Sequence, residues 1–243
     1  MYKRQTNGTE LSTEWSKSII NECNKIKRDI SAQDIDSRKD LRSLNFVTID
    51  GSNAKDFDDA VYAEESSDGY LLYVAIADVS EYVLQDSSLD KEALSRATSV
   101  YFEKKVIPML PELISNKLCS LRPNEDKLVL TCEIYLDGEG EIKSYEFFNS
   151  VICSKNRLTY DEVEKFYQKG QTALSDDIVS NLNALKKIHA LRRKIREERK
   201  AIDFYLPEYR PVGKDNKIIK FKSINHLLAC LLYTSDAADE RHC

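Results

Sequence analysis

Glycine and proline are scarce, with 7 and 5 among 243 residues, which excludes a fibrous or low-complexity chain. No apolar run approaches the ~20 residues that span a bilayer. The first 20 residues are too polar for a signal peptide. The six cysteines (Cys23, Cys119, Cys132, Cys153, Cys230 and Cys243) form no C-x-x-C pair. With His189, His226 and His242 scattered as well, a zinc site is not expected and reduced thiols are. Neither sign of charge dominates: Lys+Arg 36 against Asp+Glu 41 leaves −5. That argues against a protein that coats nucleic acid by charge alone, but not against an enzyme with one basic channel. What remains is a 42% hydrophobic chain with 13 Tyr and 8 Phe, enough to build a core. The expectation is a soluble, cytoplasmic globular chain.

The two ends read differently from the rest. Residues 230–240, CLLYTSDAADE, resemble the translation of a transposase sequencing adapter, and MYKRQ at 1–5 resembles its opposite strand. Such segments are set aside before reasoning about fold. This leaves 6–229 as the native part, expected to be cut from a longer reading frame. Residues 6–35 are then a lead-in helix and connector, and 230–243 an adapter-derived tail.

Within the native part, Trp15, Ile19, Cys23 and Ile26 recur at helical spacing after Ser12 and Thr13, which predicts an amphipathic helix over 12–28. Residues 31–44 are polar and read as a connector. Phe46–Ile49 and Tyr70–Ala77 read as strands, the latter after a Ser66–Gly69 turn signal. Leu128–Leu136 and Glu141–Val151 flank Asp137-Gly138-Glu139-Gly140, a hairpin pattern. A long helix is predicted over 175–200, with Ile178, Leu182, Leu185, Ile188, Leu191 and Ile195 on one face. Its other face carries Lys186, Lys187, Arg193, Lys194 and Arg196, which suits either plain solvation or RNA phosphates. His189 interrupts the helix as a boundary residue.

The chemistry sits after the first strand, in TIDGSNAKDFDDAVY (48–62). Four aspartates fall within ten residues, Asp50, Asp56, Asp58 and Asp59, and apolar segments pin the loop on both sides. Carboxylates so placed repel one another and lose hydration, a costly arrangement without a cation. An all-oxygen donor set favours Mg²⁺, Mn²⁺ or Ca²⁺ over zinc. Gly51 stands at the wrong position for an EF-hand loop. Two readings stay open on the residues alone: a solvated acidic loop, or a cation site suited to phosphodiester hydrolysis.

This segment resembles the signature of the ribonuclease II/ribonuclease R family, whose catalytic part is the RNB domain. The likeness continues in unbroken order. Arg38-Lys39-Asp40-Leu41-Arg42 resembles an R-x-D-L-R lead-in, and Ile76-Ala77-Asp78-Val79-Ser80 an I-A-D-V-S strand end. SVYFEKKVIPMLPELISNKLCSLRPNEDKL (99–128), SKNRLTYDEV (154–163) and REERKAIDFYLPE (196–208) follow. The resemblance spans about 36–225 and lies nearer the ribonuclease R branch.

The resemblance implies an α+β fold, a partial RNB-type catalytic domain over 36–229 with a mixed or antiparallel sheet packed with helices. It implies Mg²⁺-dependent hydrolysis from the 3′ end of single-stranded RNA, releasing 5′-mononucleotides. Asp50, Asp56, Asp58 and Asp59 become ligands of one or two Mg²⁺ ions, with Mn²⁺ as a substitute, and Asp58 the one indispensable for cleavage. Tyr101 becomes the ring that stacks on the terminal base, where core packing is the alternative. The parent protein would be a monomer, without a membrane partner. Some family features depart or are missing. Ala75 stands where His is frequent, and Lys200 where glycine is common. The T-S-P-I-R-R-Y segment, a late active-site glutamate and the flanking OB-fold domains are absent, so the chain alone is expected to be inactive. Two alternatives remain: a catalytically silent RNA-binding relative, which should have lost Asp58 or a neighbour, and a D-x-D metal-dependent nucleotide-sugar transferase.

Overall fold

The computed structural model describes residues 14–27, 29–102, 105–170, 173–201, 208–214 and 217–224. The 1–5 and 230–243 segments, Ser12, Thr13, Cys230, Cys243, His226 and His242 lie outside these. Two compact units emerge, one from the described parts of 29–78 and 119–205, the other from the described parts of 1–28, 79–118 and 206–225.

The larger unit is one seven-stranded sheet in the order β1-β8-β7-β4-β3-β2-β9. Its strands are β1 Lys39–Asp40, β2 Val47–Asp50, β3 Asp59–Ser66, β4 Gly69–Ala77, β7 Asp126–Asp137, β8 Ile142–Cys153 and β9 Asn156–Thr159. The centre is antiparallel, while β1 on β8 and β2 on β9 are parallel. This is the mixed α+β architecture expected. The hairpin at Asp137–Gly140 forms as its turn residues predict, with Asp137 Oδ1 accepting from the Glu139 and Glu141 amides at 3.0 and 2.9 Å.

Two helices cover one face of the sheet. α4, Tyr160–Lys169, starts with a capping box in which the Thr159 hydroxyl and the Glu162 carboxylate satisfy each other's backbone amides. α5, Asp176–Glu198, buries Ile178, Leu182, Leu185, Ile188 and Ile195. Ile178, Leu182, Leu185 and Ile188 pack with Val47, Ile49, Val61, Ala63, Leu158, Val163 and Phe166. Each large one contributes about 1.5–3 kcal/mol by leaving water. The opposite face of α5 is solvated as well as cationic: Lys187 pairs with Glu65 at 2.7 Å and Arg193 with Glu197 at 3.1 Å. Asn181 sits on the buried face because its amide satisfies two main-chain groups. Its Oδ1 accepts from Ala63 N–H and its Nδ2 donates to Asn45 O, both at 2.9 Å.

Two expectations need correcting. The 31–44 connector is structured: Ser31 caps a short helix α2, Ala32–Asp36, and β1 follows as an edge strand. The leading helix α1 spans Lys17–Lys25, capped by Ser16 at 3.4 Å from Ile19 N. Polar composition hid the first, and the capping hydroxyl nearest the apolar stripe won the second.

In the smaller unit, α1 buries Ile19 and Cys23. Its Glu22 carboxylate caps α3, Ser88–Arg96, by accepting from the Ser88 amide at 2.9 Å. Arg96 stacks its guanidinium 3.8 Å from the centre of the Trp15 ring. A hairpin of β5, Val100–Phe102, and β6, Lys105–Ile107, pairs Tyr101 with Val106. β10, Glu208–Lys214, and β11, Lys217–Ile224, form a second hairpin.

Candidate active site

β2 is buried until its last residue, Asp50, and β3 begins at Asp59, so the two carboxylates flank the mouth of the loop between them. The strands pair at Val47 and Val61, which brings Asp50 and Asp59 near each other. Between them Phe57 turns inward and is buried, whereas Asp56 is half-buried and Asp58 exposed. The apolar residue thus acts as a pin and leaves its acidic neighbours at the surface.

Four tethers fix this loop. Ser120, fully buried, accepts from Phe57 N–H and donates to Lys55 O, each at 3.1 Å. The Leu121 amide donates to Phe57 O at 2.8 Å. The Ala77 amide, at the end of β4, donates to Asp58 O at 2.8 Å. Arg157 on β9 donates through one nitrogen to Gly51 O at 2.9 Å and Ser52 O at 3.0 Å. The end of β4 is itself held, since Arg38 and Asp78 form a buried ion pair at 2.8 Å. Two motifs quoted separately from the sequence, R-x-D-L-R and I-A-D-V-S, therefore meet in one contact.

The electrostatics match the geometry. Burial, then repulsion from Asp59 and Asp58, pushes the Asp50 carboxyl up to about 8, with Arg157 opposing and Asp56 adding to the rise. Its Oδ2 is buried and has no hydrogen-bond partner among the described residues. A buried carboxylate oxygen facing like charges calls for a cation. The donor set, all oxygen, suits Mg²⁺ or Mn²⁺. Among the described residues no three acidic, thiol or imidazole groups already stand in a closed ligand array. The four aspartates share a field rather than a preformed cage.

The structure therefore gathers Asp50, Asp56, Asp58 and Asp59 on one short loop and its two strand ends. Tyr101 belongs to the other unit. It is 49% exposed, so core packing does not account for it. Sequence reasoning missed Ser120 and Arg157. Both lie in segments quoted for their resemblance, but neither carries a periodicity or turn signal. Only the fold brings them to the loop.

Comparison with known proteins gives a consistent result. The family model of the RNB domain matches residues 38–235. Ribonuclease R of Acidithiobacillus ferrooxidans is 43% identical over 196 residues, 80% of this chain and 45% of that protein. Ribonuclease R of Escherichia coli (strain K12) is 42% identical over 198 residues, again 80% of this chain but 24% of its own length. Among solved structures, RNase R of Mycoplasma genitalium in complex with ribose methylated single-stranded RNA superposes with a TM-score of 0.89 at 34% identity. That match covers 95% of this chain and 36% of the other. The chain thus spans less than half the length of these relatives.

Proposed function

Because the chain belongs to the RNB-domain family, on its ribonuclease R branch, we propose that it is part of a hydrolytic 3′-to-5′ exoribonuclease. The activity is assigned to a protein of the relatives' length, and releases 5′-mononucleotides from single-stranded RNA. The observation that carries this reading is the unpartnered, buried Asp50 Oδ2 within a tethered loop of four aspartates. Asp50, Asp56, Asp58 and Asp59 would hold one or two Mg²⁺ ions, or Mn²⁺ in their place. When bound, such a cation supplies Lewis-acid activation and charge neutralisation for phosphodiester hydrolysis.

The chain's own residues do the rest. Asp50 and Asp59 anchor the site to two strands, so its depth is set by the sheet. Asp58, adjacent to Asp59, is the most exposed of the four carboxylates. The tethers at Lys55, Phe57 and Asp58 keep main-chain motion from spreading the carboxylates, which preserves orientation. Tyr101 offers a ring to a terminal base of any identity. All four aspartates are present, which disfavours the silent relative. The order of motifs after Asp59 disfavours the sugar transferase. The cytoplasm is the proposed compartment: among the described residues no helix is long and apolar enough to cross a membrane, and Cys23, Cys119, Cys132 and Cys153 are free thiols.

Asp58→Asn tests the assignment, because it keeps shape and removes one charge. In a protein of full length, RNA should still bind in an electrophoretic shift assay, while mononucleotide release falls by orders of magnitude. Near-normal release by the variant would overturn the role of the loop.

A further inference from the structure

The stretch between Asp50 and Asp56 is the weakest part of the loop by its own packing. Ser52, Asn53 and Lys55 are exposed, and its internal bond is a turn in which Ala54 N–H donates to Gly51 O at 3.1 Å. Yet this turn sets where Asp56 and Asp58 stand relative to Asp50. Something outside the turn must hold it.

Arg157 is that group. Its residue pairs in register with Thr48 on β2, so the side chain grows from the strand neighbouring the one that ends in Asp50. One of its terminal nitrogens binds both Gly51 O and Ser52 O. The guanidinium also lies 5.5 Å from the centre of the Phe57 ring, the buried pin between Asp56 and Asp58. A single side chain therefore touches the loop on both sides of Asp56. Paired residues on adjacent strands share a face of the sheet. Thr48, Asp50 and Arg157 do so here, and Thr48 Oγ1, Asp50 Oδ2 and Arg157 Nε are all buried without partners among the described residues. Polar groups left unsatisfied together are tolerated where they serve a site.

A positive charge here also works against a bound cation, since both seek the same carboxylates. Its presence makes sense if the position it imposes on the main chain outweighs the repulsion it adds. The rigid, planar guanidinium suits such a role, because the two N–H bonds of one terminal nitrogen can meet two carbonyls in a fixed plane. We propose that Arg157 is a positioning residue of the metal site, holding the Gly51–Phe57 main chain so that the four carboxylates can share one cation. This rests on reading those aspartates as cation ligands.

The two physical effects of Arg157 have opposite signs, which makes the idea testable. Mn²⁺ alone is the probe, titrated into the 243-residue chain by electron paramagnetic resonance. Amide hydrogen exchange over 51–59 is followed in parallel without metal. Wild type should bind Mn²⁺ and Asp50→Asn should not. Arg157→Met should bind about ten-fold more weakly, although it removes a repelling charge, and its loop amides should exchange faster. Arg157→Lys, which keeps charge without the fork, should recover part of both. Equal or tighter binding by Arg157→Met, with unchanged exchange, would overturn the proposal and leave Arg157 as a mere charge. If Arg157→Met melts, as circular dichroism would show, Arg157→Lys decides alone. Wild-type affinity and exchange in that variant would then refute the tether. Mn²⁺ binding unaffected by Asp50→Asn would instead refute the carboxylate reading, and the exchange data would still decide whether Arg157 holds the loop.

Discussion

A residue that stacks on nucleobases must leave a ring face to solvent while its backbone stays fixed. Tyr101 meets both conditions, being half-exposed and paired with Val106 across a hairpin. Tyr101→Ala is expected to weaken binding of the terminal nucleotide by ~1–3 kcal/mol. The length of the end product should change while Mg²⁺ dependence stays, as product gels over a metal titration would show. His189 makes a different kind of prediction. Burial, reinforced by Arg193, holds its pKa below the usual imidazole range, and Nε2 has no partner among the described residues. The unfolded chain takes up a proton near pH ~6.5, whereas the folded chain resists it. The stability this contributes is complete above that pH and is lost as pH falls. Urea midpoints should therefore decline from pH 7 towards 5, and His189→Leu should flatten the decline.

Helix ends show how local chemistry decides an element. α5 closes with the Lys200 amide donating to Glu197 O at 2.9 Å and the Ala201 amide to Arg196 O at 3.1 Å, the Schellman arrangement. This requires Lys200 to adopt φ +56°. The resemblance read from the sequence puts glycine at this place, and the chain keeps the glycine-type conformation despite the lysine. The departure noted in the sequence therefore changes strain, not the path of the chain. Lys200→Gly should raise stability by about 1 kcal/mol, readable in chemical denaturation. Gly140 is the reverse case. Its φ is +83° and an added Cβ would stand 2.6 Å from the Leu191 Cβ. Gly140→Ala should thus cost ~1–3 kcal/mol by forcing the hairpin off the helix. The sequence shows the turn at Asp137–Gly140, but not that a helix residue fills the space beside it.

At the scale of the whole molecule, legibility follows the range of the forces involved. Strands β2, β4 and β7 and helix α5 announce themselves through local apolar patterning, and the aspartate loop through its composition. β1 does not, because a two-residue edge strand is defined by its partner β8 and not by its own residues. Asn181 is likewise illegible. In the sequence it is a polar break in an apolar stripe, and in the fold it joins the helix layer to the sheet at Ala63 and Asn45. Asn181→Leu leaves a buried amide and a carbonyl unsatisfied, and should cost about 2–4 kcal/mol. Urea unfolding of the purified variant would register this as a lower midpoint with an unchanged slope.

The tethers of the aspartate loop grip main-chain atoms: the carbonyls of Gly51, Ser52, Lys55, Phe57 and Asp58 and the amide of Phe57. None of these tethers uses the side chains of Ser52, Asn53 or Lys55, which are exposed. A backbone held in this way is indifferent to what hangs from it. Those three positions should accept wide substitution in a saturation library while the aspartates around them accept almost none. They are the natural place for evolution, or an engineer, to retune what meets the site without rebuilding it.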